Sequence, residues 1–79
     1  MLHVKFFLPA SGWTWYAAEG DRRGDDFLFF GLVKGGGDFE WGEFRLSELE
    51  SATDELGNGV ERDRFWRPTP ASEVLRSRR

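Results

Sequence analysis

A chain of 79 residues with a net charge of −3, no cysteine and one histidine makes a single domain, 1–79, and excludes disulfides and the usual His/Cys zinc sets. Its core must come from eight Phe, four Trp and one Tyr, since each buried ring hides roughly 150–250 Å². Phe6-Phe7-Leu8, the longest apolar run near the N-terminus, falls far short of the ~18–20 residues of a membrane span and offers no signal-peptide h-region, so a cytoplasmic protein is expected.

Leu2 to Leu8 reads as a first strand, ended by Pro9 and the turn Ala10-Ser11-Gly12. Trp13 to Glu19 is a second strand. There Trp13, Trp15 and Ala17 alternate with Thr14, Tyr16 and Ala18, and two apolar faces suit a central position. Gly20 to Asp26 is rich in Gly, Asp and Arg and reads as a mobile polar loop, too long for a tight hairpin. Phe27 to Val33 is the most hydrophobic segment and predicts a buried central strand. Gly35-Gly36-Gly37 supplies the conformational freedom of a hairpin turn. The fourth strand runs from Asp38 to Leu46. Phe39 and Trp41 share a face, but beyond Gly42 the apolar positions change phase to Phe44 and Leu46. A β-bulge at Gly42-Glu43 accounts for that shift.

Ser47 followed by Glu50 has capping-box spacing. A helix is expected there, with Leu49, Ala52, Thr53 and Leu56 on one face and Gly57 as its C′ stop. Val60 to Trp66 reads as a short edge strand. Thr69 and Pro70 open a last short helix as cap and first residue. In it Val74 and Leu75 dock, while Arg76 to Arg79 fray into solvent. The sum is an α+β fold: an antiparallel meander of four to five strands, one main helix after strand 4 and a short helix at the C-terminus.

Enzyme chemistry finds little footing. His3 is the one imidazole, set on a strand among large apolar residues, so the serines lack a ready base. Asp25 and Asp26 point opposite ways on an emerging strand and make a poor ligand or acid/base pair. Gly35-Gly36-Gly37 lacks the Lys-Ser/Thr of a phosphate-binding loop, and no helix follows it. No enzyme, cofactor or metal site is expected.

Charge is segregated along the chain. Residues 1–37 balance at zero, residues 38–63 carry a net −7, and residues 64–79 carry a net +4. Such blocks steer partners. Asp38, Glu40, Glu43, Glu48, Glu50, Asp54 and Glu55 form an acidic strip on the fourth strand and its following helix. With Trp41 and Trp66 as aromatic anchors, these are the candidate partner-binding residues. The strip repels a phosphate backbone and attracts a basic surface, which predicts a protein partner whose own surface binds nucleic acid. The competing reading is a small nucleic-acid-binding module that uses sheet aromatics for base stacking and the C-terminal arginines for phosphates. Direct nucleic-acid binding is the less expected of the two, no membrane is involved, and a monomer or weak dimer is expected.

Val4-Lys5-Phe6-Phe7, Trp13 to Glu19, Phe29 to Val33, Gly42-Glu43-Phe44, Leu46 to Ser51, Val60 to Asp63 and Pro68-Thr69-Pro70 together resemble domain-of-unknown-function family 2958, small proteins of plasmids, phages and other mobile elements. The likeness covers most of residues 4–75. Members usually begin with a further helical segment, and its absence here implies a stripped-down copy. The family brings no catalytic residues. Its setting is similar to that of the small inhibitors with which phages disarm host defence, including acidic single domains that block DNA binding by CRISPR–Cas effectors. The resemblance therefore implies a non-enzymatic, anti-CRISPR type of inhibitor.

Overall fold

Strands form where apolar residues recur with period two, and five of them assemble here. The structure, a computed structural model, describes residues 1–76. β1 (Val4–Phe7), β2 (Thr14–Arg23), β3 (Asp26–Lys34), β4 (Phe39–Arg45) and the two-residue β5 (Glu61–Arg62) make one antiparallel sheet in the order β4-β3-β2-β1-β5. The first four strands are the expected meander. α1 (Leu46–Ser51) then takes the chain across one face to the opposite edge, where β5 pairs with β1, and α2 (Ala71–Arg76) follows. No helix among the described residues is long and apolar enough to cross a membrane.

Each face of the sheet carries its own apolar cluster. On one, Tyr16 and Leu32 pack with Leu2 and with Val74 of α2, while Phe39, Trp66, Ala71 and Leu75 close around them. On the other, Ala17 and Phe44 meet Leu49 of α1, with Phe6, Phe29, Val33 and Val60 alongside. Leu2 and Leu32 are 0% and 1% exposed. Burying a leucine fully is worth about 1.5–3 kcal/mol, so these two anchor the α2 face. The Trp66 indole donates to the Leu2 carbonyl at 3.0 Å, and the Lys5 ammonium lies 5.6 Å from the Trp66 ring centre. Burial pushes the Tyr16 hydroxyl pKa up, and the charge of Asp63 adds to the rise.

Two-sided cover explains the phase change in β4. Its register with β3 is unbroken from the Phe39–Lys34 pair to the Arg45–Leu28 pair, so no bulge forms at Gly42-Glu43. Phe39 and Trp41 belong to the α2 face and Phe44 to the α1 face, and each phase of the alternation has its own cluster. The bulge lies instead in β2, where Ala18 is the extra residue between Ala17 and Glu19. Gly20 to Asp26 is likewise no loop. β2 and β3 stay paired out to Arg23 and Asp26, turning tightly on Gly24, whose φ of +61° suits glycine.

The helices differ in detail from the expectation. α1 stops at Ser51, with Ala52 already extended. Ser47 is not its cap. Glu48 accepts the Arg45 N–H at 2.9 Å, while the Ser47 hydroxyl and N–H donate to Asp26 at 2.6 and 3.1 Å. Gly57 does have a positive φ, 81°, but within the following loop. The strand expected over 60–66 contracts to Glu61–Arg62. α2 begins at Ala71, and the Thr69 hydroxyl donates to the Arg67 carbonyl at 2.7 Å rather than capping it. Val74 and Leu75 dock as expected. Residues 77–79 of the arginine tail lie outside the described residues.

Candidate functional site

Alternation places Glu19, Phe30 and Glu43 on the α2 face, and the ladders make them direct neighbours in one row across β2, β3 and β4. Strands lie about 4.8 Å apart, so a phenyl ring sits between two carboxylates whose backbones are roughly 10 Å apart. Trp41, two residues from Glu43 on β4, stacks on Phe30 with ring centres 5.7 Å apart and planes 14° from parallel. Phe30 is 40% exposed and Trp41 51%. The α2 cluster covers Tyr16 and Leu32 but leaves this pair open. Glu19 and Glu43 form no ion pair or side-chain hydrogen bond among the described residues.

The charges around the row are already compensated. Asp21 pairs with Arg23 at 2.7 Å, and Arg45 lies 3.9 Å from Asp26. An open depression of about 350 Å³ runs beside the row, lined by Glu19, Gly20, Asp21, Leu28, Phe30 and Glu43. Two aromatic faces flanked by two unpaired carboxylates suit one chemistry well. They receive a guanidinium or ammonium, which gains from ring quadrupole and charge together.

The structure divides the residues singled out from the sequence. Trp41 and Glu43 join the row. Asp38 precedes β4 on the same edge, and Glu40 projects on the opposite face, across from Val33. Glu48 is occupied at the start of α1. Glu50 lies beside Phe6, Leu46, Leu49, Val60 and Arg62, towards the β1–β5 side. Glu55 is exposed on the loop after α1. Trp66 is half-buried against Tyr16, with ring centres 5.4 Å apart. Glu19 and Phe30 were not singled out. Neither had a local signal, because the Ala18 bulge sets the face of Glu19 and tertiary cover decides which Phe of β3 stays open.

Asp54 has a structural task. Its carboxylate accepts the N–H groups of Leu56 and Asn58 at 3.0 and 2.9 Å, the Asn58 amide at 3.1 Å, and the distant Ala10 N–H at 2.8 Å. Partial burial pushes its pKa up, but those hydrogen bonds together outweigh burial and hold it below the usual carboxylate range. Asp26 is also held low, chiefly by the Ser47 hydroxyl and then by the Phe27 N–H. A carboxylate with a lower pKa in the folded chain stabilises above its unfolded value, ~3.9, and that contribution is lost as pH falls through the folded value. The melting temperature is therefore expected to fall as pH drops below about 4. Asp54→Ala should melt several degrees lower at neutral pH and show a shallower acid decline. Parallel curves for the two proteins would remove Asp54 from the acid-sensitive groups.

Residues 2–76 match the family described as "Protein of unknown function (DUF2958)". No curated protein and no solved structure gives a significant match.

Proposed function

We propose, from the premise that the chain belongs to the DUF2958 family, that it works without catalysis, as an inhibitor that docks on a basic, nucleic-acid-binding surface of a host complex. A CRISPR–Cas effector is a target of this kind, its groove being lined with the Lys and Arg side chains that hold a nucleic acid. The setting is then a phage or mobile element acting in the host cytoplasm. The observation that carries the reading is the Glu19–Phe30–Glu43 row with Trp41 stacked beside it. The carboxylates speed association by charge attraction, and the aromatic pair supplies a desolvated anchor.

The nucleic-acid-binding alternative has less support. A second cleft of about 510 Å³ sets Lys5, Arg62 and Arg64 beside Glu61 and Asp63, with the exposed Phe65 at its rim. Mixed charge of this sort is not the clustered cation field a phosphate backbone requires.

A short arginine-rich peptide is the direct probe. Binding is expected to change tryptophan fluorescence, to weaken with added salt, and to be lost in Trp41→Ala. Glu55→Lys, on a loop away from the row, should bind as wild type. Binding that ignores Trp41, or affinity unchanged by salt, would count against the reading.

A further inference from the structure

Edge strands expose a rail of unpaired N–H and C=O groups, and most proteins blunt them. The two edges here differ. β5 is two residues long, which protects its side. β4 has seven residues, no Pro and no Lys, keeps unbroken register with β3, and pairs with no further strand among the described residues. Its ladder has no bulge, and among the described residues only at its end is an N–H taken within the fold, that of Arg45 by Glu48.

The side chains along that rail say what fits it. Trp41 and Glu43 project on the α2 face, and Glu40 projects on the other. A second copy laid antiparallel on β4 sets acidic residues near their own kind, which is unfavourable. An extended segment bearing Lys or Arg meets opposite charge on both faces at once.

We propose that β4 accepts a basic, extended segment of the partner as a sixth strand. This rests on the docking function inferred above and specifies the form the partner takes. Main-chain hydrogen bonds to the rail supply affinity, and carboxylates on alternate faces select the side chains. Glu40 discriminates. It points away from Phe30 and Trp41, so a partner that touches only the aromatic row never meets it. A paired strand, whose side chains alternate, does.

The test uses the full chain with a synthetic peptide of alternating arginine and threonine, and with the same peptide N-methylated along the edge that would face β4. Unmodified peptide is expected to protect β4 amides from hydrogen exchange. N-methylation should weaken binding at least about tenfold, and Glu40→Lys should do the same. Equal binding of the methylated peptide together with a neutral Glu40→Lys would overturn strand pairing. If Glu43→Lys still abolished binding in that case, the docking row would stand without it. If Glu19, Glu43 and Trp41 were neutral as well, the docking reading would fall too. Self-association through β4 with no response to the basic peptide would also overturn the proposal.

Discussion

Replacing Gly31 by alanine is expected to leave a chain that no longer unfolds cooperatively. Gly31 is buried in the middle of β3, directly opposite Ala17 of β2. A Cβ built there lies 1.8 Å from the Tyr16 carbonyl oxygen, 2.9 Å from its carbon and 3.1 Å from the Ala17 Cα. All three are backbone atoms of the neighbouring strand, so no rotamer change relieves the clash. Relief requires β2 and β3 to part at the centre of the sheet, beside the Ala18 bulge, where Tyr16 and Leu32 anchor the α2 cluster. A domain of this size has only about 5 kcal/mol to lose. Leu32→Ala, an ordinary core truncation, should cost about 2–5 kcal/mol, and Gly31→Ala should cost at least as much. Gly36→Ala, where a Cβ meets nothing within 4 Å, is the matched control. Urea titration followed by tryptophan fluorescence and circular dichroism reads all three. A Gly31→Ala midpoint close to wild type would mean the strands accommodate a methyl group that their spacing denies.

The second large effect concerns binding. Glu19→Lys together with Glu43→Lys should lower affinity for an arginine-rich partner by about a hundredfold while leaving the melting curve nearly unchanged. Both side chains are exposed and neither forms an ion pair or side-chain hydrogen bond among the described residues, so reversing them removes no such contact there. What changes is the field over the Phe30–Trp41 pair: an arriving guanidinium meets two ammonium groups in place of two carboxylates. The loss should fall mainly on the association rate at low salt and shrink as salt screens the charges. Reversing Glu48 or Asp54 is a different experiment. Those carboxylates hold the start of α1 and the loop after it, so the first casualty there is stability. A double reversal at Glu19 and Glu43 that bound as well as wild type would detach the row from the mechanism.

Much of the architecture was legible from the chain. Apolar alternation marked β1 to β4, Gly35-Gly36-Gly37 marked the β3–β4 connection, and the run around Leu49 marked α1. What escaped shares one cause: a local pattern says that a residue is apolar or charged, but not what will cover it. Phe39, Trp41 and Phe44 require a bulge only where a single face is covered, and the structure covers both. The β2–β3 tip looked like a loop because Asp21, Arg22 and Arg23 pair through backbone in solvent, where no apolar alternation is demanded. Asp54 looked like surface charge because its farthest partner, Ala10, is 44 residues away. The acidic strip was visible in composition. Its division into a row, a helix start and a loop clasp was not.

The extra residue at Ala18 has a consequence for how this surface can vary. Glu19 reaches Phe30 only because the count along β2 slips by one before it. Were β2 to pair without that slip, Ala18 would stand opposite Phe30 and Glu19 would turn to the other face, opposite Phe29. The row would then lose its first carboxylate to a change of register alone, with every acidic residue still present in the chain.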